Sequence, residues 1–265
     1  MRHALYVAPF SELADPLAMV EVAVAAERSG WDGVFLWDHI WRPPDRTAAV
    51  GDAWITLAAI ATETSRLRIG PMVVPLARRR PQKVARESVA LDHLAEGRLT
   101  LGVGLGVNTD GELERFGEVT DDKERGNVLD EAIELLCELW SGDEVRHSGR
   151  YFRADGVRFL PRPIQSPRIP LWGAARGGSG SAPLRRAARL DGFFPVGSTK
   201  VQLQRMLEFI VQERGSLEGY DVAVIVPENE GVDGLAELGV TWLLRALPDD
   251  VARQRALEIA ATGPC

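Results

Sequence analysis

The sequence predicts an α/β fold, a (β/α)8 TIM barrel, and three observations support this fold class. Short apolar runs alternate with longer amphipathic ones, which is the pattern of parallel strands joined by helices. Eight such pairs can be counted, whereas an open doubly wound sheet of this length would more often hold about five to seven strands. The 265 residues also match the roughly 250 residues that one such barrel requires.

The predicted elements follow one another in a regular order along the chain. Strands are predicted at 3–9, 33–37, 67–74, 98–104, 169–173, 192–196, 221–226 and 240–244. Helices are predicted at 15–29, 52–64, 81–95, 121–140, 182–190, 199–215, 232–238 and 249–261. Residues 142–168 break the alternation, and we interpret them as an insertion before the fifth strand, an irregular hairpin. No linker or repeat indicates a second domain, so residues 1–265 are predicted to form one domain.

Composition and charge argue against several classes of function. The formal net charge of −7 disfavours a surface for nucleic acid or for an anionic membrane. The basic clusters Arg78-Arg79-Arg80 and Arg185-Arg186 are predicted to lie on solvated faces. Cys137 and Cys265 are far apart, so neither a disulfide framework nor a zinc site is predicted, and no other metal site is expected. The N-terminus lacks a secretory pattern and no apolar run is long enough to span a bilayer, which predicts a cytoplasmic protein.

Two stretches break the usual rules for buried strands. Gly102, Gly104 and Gly106 occupy alternate positions around the end of the fourth strand, where each glycine costs about 0.5–1 kcal/mol relative to alanine. We interpret them as room for a large, flat ligand against the backbone; the alternative is relief of crowding against a neighbouring helix. Pro71 lies inside the third strand, where it cannot donate to a ladder, so it indicates either functional backbone or an early end of the strand.

The carboxyl ends of barrel strands are where ligand-binding residues are expected. This rule selects four segments: 38–41, 71–75, 104–108 and 173–181. The glycine-rich segment 173–181 offers backbone N–H groups just before a helix, which suits a phosphate, and Arg176 would add a charge-assisted contact. Its alternative is a flexible surface loop, since it matches neither the P-loop nor the dinucleotide fingerprint. No nucleophile elbow is present.

Four motifs, in this order, resemble the bacterial luciferase-like family of flavin- and deazaflavin-dependent oxidoreductases. They are residues 30–39 (GWDGVFLWDH), 65–70 followed by Pro75 and Pro81, 91–104, and 169–173 followed by 184–192. The resemblance covers roughly residues 1–200. It implies a (β/α)8 barrel with a flavin or deazaflavin ring lying across its mouth.

The resemblance also implies roles for individual residues. His39 would transfer a proton or stabilise a developing anion, and Asp38 would orient or tune His39, so these two are the predicted catalytic residues. Trp41 would form an aromatic wall, and a non-proline cis peptide would fall near residues 71–73. The full set of predicted cofactor-binding residues is Asp38, His39, Trp41, Met72, Val73, Gly104, Gly106, Asn108, Gly173, Ala174, Ala175, Arg176, Gly177 and Gly178.

The function implied by the resemblance is oxidoreduction of a small organic substrate with F420 or reduced FMN as cofactor. F420 would transfer hydride, whereas reduced FMN would more often insert oxygen, as in a monooxygenase. Val107 stands where deazaflavin-dependent sugar dehydrogenases of this family carry an acidic residue, so oxidation of a sugar is not predicted. Loops 41–51 and 107–120, together with the insertion, are expected to shape the substrate pocket.

Two other functions stay open at this point. The first is a flavin-binding barrel protein without turnover. The second is an unrelated barrel enzyme, such as a metal-assisted hydrolase or an aldolase, which would need an acidic and histidine cluster or a lysine at a strand end. The three lysines, Lys83, Lys123 and Lys200, do not fall at predicted strand ends. Dimers are common in the resembled family, which implies a homodimer here.

Overall fold

A computed structural model of the chain describes residues 1–47, 49–108, 110–178, 180–227 and 232–264. The strands, in chain order, are β1 (Arg2–Val7), β2 (Gly33–Leu36), β3 (Arg68–Pro71), β4 (Val74–Pro75), β5 (Leu101–Gly104), β6 (Glu144–Ser148), β7 (Arg153–Arg158), β8 (Leu171–Arg176), β9 (Gly192–Val196), β10 (Asp221–Val226) and β11 (Trp242–Ala246). The helices are α1 (Pro16–Arg28), α2 (Ala53–Glu63), α3 (Pro81–Leu94), α4 (Asp122–Trp140), α5 (Ser181–Ala188), α6 (Lys200–Arg214) and α7 (Arg253–Thr262).

Nine of the strands form one parallel sheet in the order β3-β2-β1-β11-β10-β9-β8-β5-β4. The two ends of this order, β3 and β4, are halves of one interrupted strand. β4 pairs with β5, and Ile69 in β3 makes a further bridge to Leu99, just before β5. The ring therefore closes around eight strand positions, and the predicted (β/α)8 barrel is confirmed.

The interruption of the third strand follows Pro71. This proline pairs with Leu36 inside β3, so it does not end the strand. The break comes at the next peptide bond, between Met72 and Val73, which is cis. The non-proline cis bond that the resemblance implied near residues 71–73 is thus present.

Most helices begin at the residues that the sequence indicates. Asp15 and Asp52 cap α1 and α2 by accepting a hydrogen bond from a backbone N–H in the first turn, and Thr199 forms a capping box at α6. The short helix predicted at 232–238 is wrong, because residues 233–239 form turns. Gly234 and Gly239 there have φ of +69° and +88°, which a right-handed helix does not contain.

Gly102 in β5 and Gly106, two residues beyond it, are crowded by neighbouring atoms of the protein. A Cβ on Gly102 would lie 2.1 Å from the Met72 sulfur, and one on Gly106 would lie 2.8 Å from Pro75 Cβ. Gly106 also has a φ of +72°, a conformation that side chains disfavour. At these two positions the interpretation as room for a flat ligand is wrong. Crowding is the reason, although the crowding atoms belong to the interrupted third strand and not to a helix.

The insertion at 142–168 contains the predicted irregular hairpin. β6 and β7 pair antiparallel, with a register shift after Val145. The hairpin turn is held to α4 by Glu131, whose carboxylate accepts hydrogen bonds from the backbone N–H groups of Arg150, Tyr151 and Phe152. In the described part of the chain, no helix is long and apolar enough to cross a membrane.

Candidate functional site

A cavity of about 560 Å³ opens where the barrel strands end. Its apolar walls come from Tyr6, Trp37, Met72, Val73, Leu105, Val107, Leu113, Phe194 and Val196. Its polar and charged lining includes Asp38, His39, Arg78, Asn108, Glu112, Thr120, Asp122, Arg125, Arg176 and Arg186. The cavity lies at the end of the barrel that the strand-end rule selects.

Ten of the predicted site residues line this cavity together. They are Asp38, His39, Met72, Val73, Gly104, Gly106, Asn108, Ala174, Ala175 and Arg176. They come from the ends of β2, β5 and β8 and from the interruption of the third strand, which are far apart in sequence. The strand ends selected from the sequence therefore converge on one hollow.

Four predicted site residues lie outside the lining. Trp41 lies under the guanidinium of Arg115, 4.7 Å from its ring centroid. Gly173 faces the outside of the barrel, since a Cβ there would lie 2.8 Å from Ala187 Cα in α5. Gly177 and Gly178 follow the end of β8 and are absent from the cavity lining.

For Gly173, Gly177 and Gly178 the reason is the length of β8. It continues to Arg176, so the loop predicted at 173–181 is only residues 177–180, of which Ser179 lies outside the described residues. Side chains alternate between the two faces of a strand. Gly173 packs against α5 while its neighbour Ala174 lines the cavity.

Asp38 is held by arginine and indole donors. Its carboxylate accepts hydrogen bonds from Arg79 Nη2 at 2.7 and 2.9 Å and from Trp54 Nε1 at 3.2 Å. Its backbone carbonyl accepts another from Arg78 Nη2 at 2.8 Å. The side chain is only 2% exposed. These donors engage the carboxylate of Asp38 and another acid bonds to the histidine, so Asp38 does not orient His39 by a direct hydrogen bond among the described residues; that it tunes His39 stays a prediction.

That acid is Glu112, in the segment after β5. Its Oε2 lies 2.8 Å from His39 Nδ1, and its Oε1 accepts hydrogen bonds from Arg78 Nη1 at 2.8 Å and from the backbone N–H of Ile40 at 2.6 Å. Burial acts to raise the pKa of Glu112, but the hydrogen bonds from His39 and Ile40 and the charges of His39 and Arg78 together lower that pKa to about 2. Glu112 is therefore a carboxylate at neutral pH.

Sequence reasoning missed Glu112 and Arg78. Glu112 stands eight positions beyond the end of β5, inside a polar loop, so the strand-end rule does not reach it. The arginine clusters were assigned to solvated faces, yet the side chains of Arg78 and Arg186 are each 6% exposed. Arg186 pairs with Asp130 of α4 at 2.7 Å. A usable signal existed for Arg78, since it follows the closing proline of the third strand by three residues.

One wall of the cavity is rich in guanidinium groups. Arg125 is buried, pairs with Asp122 at 3.1 Å and donates to the carbonyl of Leu105. Burial lowers the pKa of Arg125, but an arginine stays charged at any ordinary pH. Arg176 and Arg186 also line this wall. Arg186 pairs with Asp130 of α4 and Arg125 with Asp122, so ion pairs hold two of these three guanidinium groups beside the cavity.

A metal is not indicated by the described side chains. Among residues 1–47, 49–108, 110–178, 180–227 and 232–264, no group of three or more histidine, cysteine, aspartate or glutamate side chains could hold a metal ion.

Comparison with known proteins identifies relatives. A family model described as luciferase-like monooxygenase matches residues 6–227. The F420-dependent glucose-6-phosphate dehydrogenase of Gordonia bronchialis is 39% identical over 171 residues, which are 63% of this chain and 49% of that protein. The protein of the same name from Segniliparus rotundus is 32% identical over 237 residues, 88% of this chain and 67% of that protein. The chain spans about half the length of the first of these curated relatives.

Solved structures show the same fold. The coenzyme F420 dependent tetrahydromethanopterin reductase of Methanopyrus kandleri superimposes with a TM-score of 0.79 at 17% identity, covering 98% of this chain and 97% of that one. At this identity the likeness concerns the fold alone.

Proposed function

The chain belongs to the luciferase-like monooxygenase family, as its motifs implied, and on that premise we propose that it is an F420-dependent dehydrogenase of a small hydroxyl-bearing molecule. One observation carries the proposal. His39, the interrupted third strand, the end of β5 and the end of β8 surround a single cavity of about 560 Å³. The relatives at 39% and 32% identity bear the names of F420-dependent dehydrogenases, which supports F420 over FMN and hydride transfer over oxygen insertion.

The residues present fit a tricyclic cofactor. Pockets for ligands of this size hold about 300–1,000 Å³ and are mostly apolar, and Trp37, Val73 and Phe194 supply such walls. Trp37 Nε1 is a buried donor without a hydrogen-bond partner among the described residues, so the lining retains a donor for a ligand. An anionic tail would find Arg176 and the N-terminus of α5 at the same cavity end.

The protein's own contribution is to orient, to exclude water and to move a proton. When bound, F420 supplies the redox chemistry as a hydride carrier. His39 Nε2 has no hydrogen-bond partner among the described residues, so it remains for the substrate hydroxyl, whose proton it would accept. Tyr6 donates from its hydroxyl to the carbonyl of Met72 at 3.0 Å, which holds the interrupted strand against the cavity. The ion pair between Asp38 and Arg79 stabilises the cavity wall next to His39.

The substrate proposed here has an apolar portion. Val107, Leu105 and Leu113 line the cavity on the side of the β5 loop. Among the described lining residues, none comes from the insertion at 142–168 or from loop 41–51, although both were expected to shape the pocket. A hydroxyl-bearing molecule with an apolar body fits these walls better than a sugar phosphate.

The proposal is tested by titrating the purified chain with F420 and, separately, with FMN, each in both redox states. We expect saturable binding of F420 and its reduction by members of a panel of apolar alcohols. Ala174→Leu, which places a larger side chain in the cavity, should weaken F420 binding at least about tenfold, or ~1.4 kcal/mol. Ala252→Leu, at an exposed position before α7, is the matched control. Absence of F420 binding would refute the proposal, whether or not FMN binds.

A reduced-FMN monooxygenase is the second candidate, because the matching family is described by that activity. It predicts oxygen uptake that requires reduced FMN and a substrate, whereas the F420 proposal predicts turnover without oxygen. A flavin-binding protein without turnover would instead bind a cofactor tightly and reduce or reoxidise it with no member of the substrate panel.

Two further properties remain predictions from the sequence. The cytoplasmic location is a prediction of the sequence analysis, and we infer a homodimer because the family resemblance implies it. Cell fractionation and the mass measured by light scattering are the respective tests.

A further inference from the structure

The two ring nitrogens of His39 differ in their hydrogen bonding. Nδ1 lies 2.8 Å from Glu112 Oε2, while Nε2 has no hydrogen-bond partner among the described residues. The imidazole also packs against two rings, with the centroids of Phe10 and Trp37 at 5.8 and 5.9 Å. One nitrogen is therefore committed to the protein and the other is left for the cavity.

Glu112 is itself fixed from three directions. Arg78 Nη1 and the backbone N–H of Ile40 both donate to Oε1, which leaves Oε2 directed at the histidine. The residue is 5% exposed. A carboxylate in this position accepts hydrogen bonds and cannot donate one, so the nitrogen facing it must carry the hydrogen.

We infer that Glu112 is a positioning residue that holds His39 in the Nδ1–H tautomer and so makes Nε2 the proton-accepting nitrogen in the cavity. The inference rests on the proposed function only for its consequence. In the neutral ring, Nε2 would take the proton of a substrate hydroxyl. In the reverse direction the imidazolium would return that proton from Nε2 to the oxygen of a carbonyl substrate.

The other charged groups nearby do not compete for this role. Arg78 reaches Glu112 from the turn after β4 and keeps it ionised. Asp38, next to His39 in the chain, is occupied by Arg79 and Trp54. The two acids and two arginines around the imidazole balance in charge, so the direction of the Glu112 hydrogen bond decides the tautomer.

The first test measures the tautomer itself and needs no cofactor. Long-range ¹H–¹⁵N correlation spectra of the ¹⁵N-labelled chain are recorded at about pH 8.5, roughly two units above the ordinary histidine pKa. His39→Asn identifies the His39 signals among those of the four histidines. We expect a protonated Nδ1 and an unprotonated Nε2. A wild-type spectrum with protonated Nε2 would overturn the inference.

The second test changes the acceptor. The amide of Glu112→Gln can turn a donor toward Nδ1, so His39 should move toward the Nε2–H tautomer. Turnover should fall by about 10²–10⁴-fold with a small change in KM, as when an orienting carboxylate is lost from an acid–base pair. Glu112→Asp keeps the charge and should restore part of the turnover and the original tautomer. An unchanged tautomer in Glu112→Gln would contradict the inference.

Glu138→Gln is the matched control, because Glu138 bonds to His147 Nδ1 at 3.1 Å, far along the chain from the cavity. It should leave the His39 signals and turnover unchanged. The two proposals fail separately. If no cofactor binds, the proposed function is lost while the tautomer measurement still decides the role of Glu112.

Discussion

Two histidine–glutamate pairs in this molecule have similar geometry and different surroundings. At the mouth of the barrel, His39 Nδ1 lies 2.8 Å from Glu112. Under the β6–β7 hairpin, His147 Nδ1 lies 3.1 Å from Glu138, and its Nε2 lies 3.5 Å from Glu131. Both imidazoles are mostly buried: the side chain of His39 is 18% exposed and that of His147 is 10% exposed.

The difference lies in what the second ring nitrogen faces. Both nitrogens of His147 lie near carboxylates of α4, so that imidazole connects α4 to the hairpin. His39 uses one nitrogen for Glu112 and presents the other to the cavity. A histidine–carboxylate distance alone therefore does not identify a catalytic pair; the environment of the opposite nitrogen does.

The largest expected effect separates the two histidines by activity. His39→Asn should lower F420-dependent turnover by about 10²–10⁴-fold, the usual range for loss of an acid–base group, and should also lower stability because the hydrogen bond to Glu112 is lost. His147→Asn should keep turnover within about twofold and lower stability by about 1 kcal/mol, since it loses a hydrogen bond. Steady-state kinetics and thermal unfolding of both variants are the measurements. Equal loss of turnover in both would remove the distinction.

A second effect concerns how the stability contributed by the His39–Glu112 pair changes in acid. The pKa of Glu112 in the folded chain is about 2, below its ordinary 4.5, so its ionised form contributes stability that is fully present above pH 4.5. That contribution is lost as pH falls from 4.5 toward 2. The difference in unfolding free energy between wild type and Glu112→Gln should therefore shrink over this interval.

Urea unfolding at a series of pH values gives that difference directly. Burial acts to raise the pKa of Glu131, but the hydrogen bonds from the hairpin turn lower it. Glu131 is present in both proteins, so its contribution cancels in the difference. A difference that stays constant down to pH 2 would contradict the assignment of the low pKa to Glu112.

The smallest effects are expected for Glu131 and Glu138, the two acids of α4 that contact the hairpin. Glu131→Gln weakens three backbone N–H contacts and should cost about 1–2 kcal/mol of stability. Glu138→Gln removes an acid that is 46% exposed, and the cost should stay below about 1 kcal/mol. Chemical denaturation ranks the two. A larger loss for Glu138 would show that the hairpin is held mainly through His147.

Much of the fold could be predicted because it depends on local patterns. The alternation of apolar strands and amphipathic helices predicted all eight barrel strands, and two of them, β9 and β10, have the predicted bounds. The helix at 232–238 failed, since two glycines with positive φ outweigh its apolar spacing. The strand-end rule also selected His39, Met72, Gly104 and Ala174, which line one cavity.

The amino-acid sequence by itself determined the barrel, its carboxyl-end mouth and the family, because hydrophobic period, turn residues and motif order are properties of neighbouring residues. Only the tertiary structure decided which acid faces His39 and which arginines are buried. Glu112 stands 73 positions from its histidine, and the buried guanidinium of Arg78 finds its acceptors in Glu112 and in the carbonyl of Asp38. Contacts between such distant residues depend on the closing of the barrel, which no local pattern records.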